Sequence, residues 1–390
     1  MNNNEKYFVS LISSHLNNMP PEVPCDIDWE EVYRLSNIHN VCAVVTNQIM
    51  LIPKDKLPEN DIISNFRQQL GYTLIDYDDK NDALDFLREK LTYEKLDFLL
   101  VKGAVLRNYY PVKEYRTSGD IDVVINYADI GRCREIFSAE NIKITDTRNN
   151  YFAFKYKSQN IEIHTNLDMD HPYFEHIFDM CEKEGCEYKI SDEVHLLYVL
   201  CHIVKHFNLF GAGIKMFMDV DVLIRHMKDF NYNEFLIKCR ELNIENFTKS
   251  CFSLCNYWFN TPVKAEIDFS SDTDFRKLFE DEIINSGSFG FNKRDLGNYY
   301  LNKGIGKSGK NNIFSKIKAF LAMLFPSKSY IKNEFKYLEK YPFLLPFAWC
   351  HRLFLAVFVR TKHSKDTIKS IINSSNESEQ YKKLLNELDI

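Results

Sequence analysis

Residues 102–125 read KGAVLRNYYPVKEYRTSGDIDVVI, and the acidic pair near the end of this stretch decides the fold prediction. The β-branched residues that follow the pair, Val123 to Ile125, predict a strand. Side chains alternate between the two faces of a strand, so Asp120 and Asp122 share one face and Ile121 takes the other. Two carboxylates on one face form a ligand pair for a divalent cation.

The residues before the pair predict a compact unit of strand, turn and helix. Residues 97–101 are a strand-like apolar run, and Lys102-Gly103 follows as a turn. Residues 104–110 are predicted to form a short helix, because the proline that comes next cannot continue it. Ser118-Gly119 directly precedes the acids, and a glycine there lets the backbone approach a phosphate closely.

Electrostatics indicates what such a carboxylate pair binds. Two carboxylates about 7 Å apart along one strand face repel one another, and a hard cation with oxygen ligands relieves that repulsion. Mg²⁺ is the expected ion, with Mn²⁺ as the alternative, since Mg²⁺ is commonly held by one or two carboxylates together with substrate phosphates. The pattern therefore predicts a nucleoside triphosphate or another polyphosphate as substrate. The same Asp-x-Asp spacing recurs at residues 168–170 and 219–221, so the spacing alone is not specific.

A third acid is needed if two metal ions are to be held, and it should lie on a neighbouring strand. Residues 151–157 and 160–165 predict a hairpin that turns at residues 158–159. In its second strand, Glu162 and His164 share one face because they are two residues apart. Glu162 is therefore the candidate for the third metal ligand.

These motifs together resemble the nucleotidyltransferase superfamily that shares the DNA polymerase β catalytic fold, and more closely a bacterial family of uncharacterised nucleotidyltransferases. The matching elements in chain order are Lys102-Gly103, Tyr109-Tyr110, Arg116, Asp120-Ile-Asp122, Ile161-Glu-Ile-His164, His202-Ile-Val-Lys-His206 and Asp219. The resemblance extends from about Asp28 to Arg360. It implies an α+β fold, with a small mixed β-sheet as the nucleotidyltransferase core between N-terminal and C-terminal helical regions.

The resemblance further implies a two-metal transfer of a nucleoside monophosphate from an NTP, such as ATP, with release of pyrophosphate. Asp120 and Asp122 are expected to hold both Mg²⁺ ions, and Glu162 the second ion. Lys102 and Arg116 are expected near phosphate oxygens. The full set of expected nucleotide-binding residues is Lys102, Gly103, Arg116, Ser118, Gly119, His164, His202, His206 and Asp219.

Two positions depart from the pattern of the superfamily. The superfamily usually has a Gly-Ser or Gly-Gly pair at the turn, but here Gly103 is followed by Ala104, which removes a hydroxyl that could contact the triphosphate. The third acid is Glu162, where Asp is commoner. Two further functions therefore stay open. One is a member that binds nucleotide without transferring it. The other is a glycosyltransferase that holds a nucleotide-sugar through a metal on Asp-x-Asp, although that class usually has a larger Rossmann-like half before the motif.

Composition and pattern together predict four regions. Residues 1–95 are expected to be helical, with one helix from Asp76 to Leu91. Residues 96–190 are expected to form the catalytic core, 191–300 a helical domain that closes the nucleotide pocket, and 301–390 a basic, aromatic helical region. The 390 residues, of which 45% are hydrophobic, suffice for a sizeable core. The net charge of -6 argues against a generally basic nucleic-acid binder.

The remaining predictions concern partners and location. Residues 303–340 contain nine lysines against two glutamates, with aromatic residues between them. This segment is predicted either to contact an anionic surface, or to be an amphipathic helix that packs its aromatics and solvates its lysines. The acceptor stays open between a small molecule, a sugar phosphate, RNA and a protein. No transmembrane segment is expected, and ten cysteines without C-x-x-C spacing favour a cytoplasmic location.

Overall fold

The computed structural model describes residues 1–288 except 24, 25, 141, 149, 168–170, 210, 265 and 272, and beyond them residues 321, 324, 325, 341–358 and 377–390. The chain begins with four helices: α1 (Asn3–Leu16), α2 (Trp29–Ile38), α3 (Cys42–Ile49) and α4 (Asn60–Tyr93). Asp28 caps α2, since its carboxylate accepts hydrogen bonds from the backbone N–H groups of the first turn. The regular structure described before Asp97 is therefore helical.

Helix α4 is longer than the sequence pattern indicates. The apolar spacing predicted a helix from Asp76 to Leu91, whereas the helix begins at Asn60. Between Phe66 and Lys80 no residue of α4 is buried, and Ile75 is 62% exposed. Because this stretch lacks an apolar stripe, its helicity is not visible as a periodic pattern.

A mixed sheet of seven strands follows in the described residues. Its strands are β1 (Phe98–Leu100), β2 (Asp120–Ile125), β3 (Ile144–Arg148), β4 (Tyr151–Tyr156), β5 (Gln159–His164), β6 (Cys181–Glu184) and β7 (Glu187–Ile190). The spatial order is β3-β4-β5-β2-β1-β7-β6. The pairs β2–β5 and β1–β7 are parallel, and the other neighbours are antiparallel. The predicted hairpin is present as β4 and β5.

The alternation along β2 separates the two faces of the sheet. Ile121, Val123 and Ile125 belong to a core that also contains apolar residues of α4 and of α6 (Ile130–Ala139). The opposite face carries Asp120 and Asp122, and farther along β2 the same face becomes apolar and joins a second, larger core. The acids therefore lie where an otherwise packed sheet face opens.

The second core is completed by helices that follow the sheet in the chain. They are α7 (Asp192–Leu209), α8 (Ile214–His226), α9 (Tyr232–Glu241), α10 (Glu245–Phe259) and α11 (Asp274–Ser286), and a short α5 (Gly103–Leu106) precedes β2. Later in the chain come α12 (Leu345–Phe358) and α13 (Glu377–Leu388). No helix of the described residues is long and apolar enough to cross a membrane.

Several predictions fall wholly or mainly outside the described residues. The Asp-x-Asp at 168–170 lies outside them, as does nearly all of the basic segment 303–340. The division into four domains stays a prediction. The Asp-x-Asp at 219–221 lies within α8. Its Asp221 is fully buried and accepts hydrogen bonds from Arg225 and Thr261, so Asp221 stabilises the packing of this helix.

Buried histidines make the fold sensitive to acid. His39 is fully buried between two elements, where its Nδ1 accepts from the Ile214 N–H at 3.3 Å and its Nε2 donates to the Ile284 carbonyl at 3.0 Å. This arrangement requires a neutral imidazole. Burial lowers the pKa of His39 from 6.5 to about 4, and it lowers those of His15 and His195 similarly.

We therefore expect the free energy of unfolding to fall as the pH drops from 6.5 towards 4. In that window the unfolded chain binds protons that the folded chain excludes. The variant His39→Gln should reduce the slope of unfolding free energy against pH by up to about 1.4 kcal/mol per pH unit. Urea unfolding at several pH values measures both slopes, and equal slopes in the two proteins would contradict the assignment.

Candidate active site

The two strands that carry the predicted acids lie side by side. In the parallel register of β2 and β5, Asp122 is directly opposite Glu162, and Asp120 is opposite Asn160. Residues opposite one another across a ladder share a face. The structure thus brings Glu162 next to the Asp-x-Asp motif, although 40 positions separate Asp122 and Glu162 in the chain.

Three side chains converge closely enough to hold a metal ion. One ligand atom each from Asp122, Glu162 and His164 lies within 4.8 Å of the others. His164 Nε2 is 3.4 Å from Asp122 Oδ1 and 3.2 Å from Glu162 Oε2. Burial alone would lower the pKa of His164, but contacts with Asp122 and Glu162 outweigh burial and raise it to about 9. His164 is predicted from the sequence to contact the nucleotide, whereas in the structure it belongs to this potential metal-binding group.

Asp120 is not part of this group of three. It lies nearby on the same face of β2, and burial followed by repulsion from Asp122 raises the pKa of Asp120 above its usual range. Asp122 behaves in the opposite way. Burial favours its neutral form, but His164 and Lys102 outweigh burial and lower the pKa of Asp122 to about 2. The two carboxylates of the motif therefore have different electrostatic environments.

Lys102 contacts the same oxygen of Asp122 that His164 approaches. Its Nζ donates to Asp122 Oδ1 at 2.7 Å. Its backbone has φ 51° and ψ −127°, a conformation that costs a non-glycine residue on the order of 1–3 kcal/mol. Such a conformation persists only where the surrounding structure imposes it, and residues of this kind concentrate at functional sites.

Gly103 is needed for space. A Cβ at Gly103 would lie 2.5 Å from Arg116 Nη1 and 2.6 Å from Ser118 Cβ. The turn therefore packs directly against the chain that enters β2. Ala104, the departure from the superfamily pattern, is 8% exposed, belongs to the core beneath the sheet and does not line the cavity described below.

Gly103→Ala is expected to destabilise the fold by about 1–3 kcal/mol, because it overpacks this contact. Gly71→Ala is the matched control, since a Cβ at Gly71, in the middle of α4, meets nothing within 4 Å. The control should be neutral or stabilising by up to about 1 kcal/mol. Urea unfolding of the two variants measures the difference. Equal free energies of unfolding would show that the structure accommodates a Cβ at Gly103 without losing stability.

A cavity of about 230 Å³ opens beside these residues. Its described lining is Lys102, Gly103, Leu106, Arg116, Ser118, Gly119, Asp120, Asp122, Tyr198, Val199, His202, Ile203, His206, Lys215, Met216, Asp219 and Ser288. The nucleotide-binding residues expected from the sequence are all in this wall except His164. Tyr198, Lys215 and Ser288 were not predicted. Lys215 lies four residues before Asp219, so the two share a helix face. This spacing is the sequence feature from which Lys215 could have been predicted in the wall.

The two histidines of α7 contact each other within this wall. His206 Nε2 lies 3.1 Å from His202 Nε2, so one of the two rings donates a hydrogen bond to the other. Burial and the nearby Lys102 lower the pKa of His206 to about 4 and that of His202 well below 6.5. Both shifts favour the neutral imidazole, which contributes hydrogen bonding and packing to this wall but no charge.

Arg116 and Asp219 form a buried ion pair. Arg116 Nη2 lies 2.8 Å from Asp219 Oδ2, and Nε lies 3.2 Å from Asp219 Oδ1. The Tyr110 hydroxyl donates to the same Oδ1 at 2.7 Å. The side chains of the pair are 7% and 5% exposed. Both residues lie in the cavity wall as expected, but the guanidinium fork of Arg116 is occupied by Asp219.

A second, more open cleft of about 370 Å³ adjoins the acids over β3, β4 and β5. Its described lining is Gly119, Asp120, Thr145, Tyr151, Ala153, Phe154, Asn160 and Glu162. Gly119 and Asp120 line both the cavity and the cleft. The acids of β2 and β5 therefore lie between two spaces, each large enough for part of a small molecule.

Comparison with known proteins gave one match. A family model described as uncharacterised nucleotidyltransferase matches residues 26–260, which is more than half of the chain. This range contains every site residue predicted from the sequence, and it ends before Arg360, to which the resemblance was expected to extend. Neither a curated protein nor a solved structure matches the chain.

Proposed function

The chain belongs to the family of uncharacterised nucleotidyltransferases, and we propose that it is a metal-dependent enzyme that transfers a nucleoside monophosphate from an NTP to an acceptor and releases pyrophosphate. The observation that carries the proposal is the position of Asp120, Asp122 and Glu162. These carboxylates lie between a cavity lined by cations and a separate cleft. A reaction that joins two substrates needs such an arrangement.

The donor set fits a divalent metal ion. Asp122 is 3% exposed, and in the absence of an ion its charge is balanced by Lys102 and His164. Carboxylate oxygens suit Mg²⁺ and Mn²⁺, and the imidazole of His164 adds a nitrogen that Mn²⁺ accepts more readily than Mg²⁺ does. We therefore propose Asp122, Glu162 and His164 as ligands, with Asp120 beside them. When bound, the metal neutralises phosphate charge and makes the acceptor hydroxyl more acidic.

The residues of the chain supply position and charge. The NTP is proposed to lie in the cavity, with its α-phosphate near Asp120 and its base against the wall formed by Tyr198, His202 and His206. The acceptor oxygen forms a bond to the α-phosphorus, and the bond from that phosphorus to the bridging oxygen breaks. The electron pair leaves with pyrophosphate, and Glu162 or solvent accepts the acceptor's proton. Lys102 orients Asp122 for this geometry.

The second cleft is the proposed acceptor site. Its wall contains Glu162 and Asp120, so an acceptor hydroxyl seated there lies next to the proposed metal ligands. The described residues before Asp97 contain helices and no strand, so these residues do not form the Rossmann-like half that the glycosyltransferase alternative calls for.

The test is calorimetric titration with each of the four NTPs, with and without Mg²⁺. The proteins are the wild type and a folded Asp120→Asn, Asp122→Asn double variant. We expect one or more NTPs to bind the wild type only when Mg²⁺ is present, and the double variant to lose that binding. Equal binding by both proteins would overturn the site assignment. Metal-dependent binding with no pyrophosphate release for any acceptor would support a member that binds without transferring.

A further inference from the structure

Helix α4 exposes apolar side chains near its middle. The helix is anchored in two different cores, because Phe66 belongs to the larger core and Leu84 to the core beneath the sheet. Between these anchors, Tyr72, Leu74 and Ile75 are 56%, 39% and 62% exposed. Single exposed apolar residues are common on protein surfaces, but neighbouring ones form a patch, and patches of this kind occur at interaction surfaces.

The patch belongs to a face of α4 that points away from the rest of the protein. The inward side carries Tyr77, whose ring packs against the buried Arg107, with the guanidinium carbon 4.9 Å from the ring centroid. The 3.6-residue repeat of the helix defines an outward face that consists of Arg67, Gly71, Leu74, Ile75 and Asp78. Gly71 lies at the middle of this outward face, and a Cβ there would meet nothing within 4 Å. The centre of the face is therefore open to a partner.

Opposite charges lie at the two ends of the outward face. Arg67 precedes the apolar patch and Asp78 follows it, and both side chains are exposed. Neither of them forms an ion pair with another described residue. The two are 11 positions apart, which is about 16 Å along a helix, so they do not pair within one chain.

Two copies of the helix satisfy these charges. If two α4 helices pack antiparallel about a two-fold axis, Arg67 of each copy lies opposite Asp78 of the other. The same register places Leu74 of each copy opposite Gly71 of the other, where the missing side chain leaves space for it. A two-fold contact must be complementary to itself. The outward face meets this requirement in both charge and shape.

We infer that the outward face of α4 is a contact surface between two copies of this chain, packed antiparallel about a two-fold axis. One helix pair of this length buries less than the about 1,200 Å² of a stable interface, so we expect a reversible dimer with a Kd on the order of 10–100 µM. No residue of the outward face belongs to the described lining of the cavity or of the cleft. The inference is therefore independent of the proposed function.

The experiment is sedimentation velocity of the full chain from about 1 µM to about 300 µM, a range that brackets the expected Kd. The sedimentation coefficient of the wild type should rise with concentration. Ile75→Asp should weaken dimerisation about tenfold or more, because it places a carboxylate in the apolar centre of the contact. Tyr127→Asp is the matched control, since Tyr127 is also exposed, at 65%, and lies outside α4. It should dimerise within about twofold of the wild type.

Charge reversal tests the antiparallel register. Arg67→Asp and Asp78→Arg should each weaken dimerisation about fivefold or more, because each places like charges opposite one another at two positions of the two-fold dimer. The double variant Arg67→Asp, Asp78→Arg restores opposite charges across the contact and should dimerise within about twofold of the wild type. Because the two side chains are too far apart to pair within one helix, such a rescue arises only between copies.

Three results would overturn the inference. They are a wild type that is monomeric at every concentration, a dimer that Ile75→Asp leaves intact, and a double charge variant that dimerises as weakly as the single ones. Thermal unfolding at about 1 µM, below the expected Kd, checks that the variants fold. Because every substituted side chain is exposed, the midpoints should match that of the wild type, so that a loss of dimer reports the contact and not the fold.

Discussion

Asp122→Asn is expected to weaken the binding of Mn²⁺ by about 100-fold or more, since the loss of an outer-shell partner alone commonly costs about 10- to 100-fold in metal affinity. The physical reason is the removal of a buried negative charge from the group of three ligands. Asp122 is the most buried of the three, so solvent screens its charge least. Titration of Mn²⁺ into the protein, followed by electron paramagnetic resonance of the free ion, measures the affinity without any knowledge of the acceptor.

Two further variants make this result interpretable. Glu162→Gln removes a charge from a side chain that is 31% exposed, so it should weaken Mn²⁺ binding with little effect on the fold. Asp221→Asn is the matched control, because Asp221 is also a buried aspartate but pairs with Arg225 outside the site. It should bind Mn²⁺ as the wild type does at temperatures where it is folded. Wild-type affinity in Asp122→Asn would show that the ligands lie elsewhere.

Asp219→Asn is expected to lower the free energy of unfolding by about 3–5 kcal/mol, because it leaves the Arg116 guanidinium buried without its counter-charge. The Tyr110 hydroxyl would lose its charged acceptor in the same step. Arg116→Met should lower the free energy of unfolding by a similar amount, because it leaves the Asp219 carboxylate buried without its counter-charge. Urea unfolding of both variants and of the double variant Arg116→Met, Asp219→Asn measures the coupling, and the double variant should be less destabilised than the sum of the single ones.

The exposed pair between Lys157 and Asp82 is the control for this cycle. Its side chains are 52% and 58% exposed, so its loss should change stability by less than about 1 kcal/mol. If Asp219→Asn instead retained wild-type stability and bound NTP more tightly, Arg116 would be a phosphate ligand that Asp219 merely restrains. That outcome would favour the role assigned to Arg116 from the sequence.

Local periodicity accounts for what could be predicted about the site. The two-residue repeat of a strand places Asp120 and Asp122 together on one face of β2, and Glu162 and His164 together on one face of β5; both assignments agree with the observed register. The short helix after Lys102 is equally local, although its α-helical part ends at Leu106, before the predicted end at Tyr110. The start of α4 was missed because the exposed stretch of that helix carries no apolar stripe to reveal it.

The family, the acidic residues of the site and the strand faces on which they lie could be predicted from the sequence, because these depend on residue identity and on spacing over a few positions. Which side chains meet depends instead on how the elements pack. His164 joins the potential metal ligands because β2 and β5 pair in parallel, and Arg116 contacts Asp219 across 103 positions because α8 packs against the entry to β2. The packing of distant elements sets such contacts, and no local repeat encodes it.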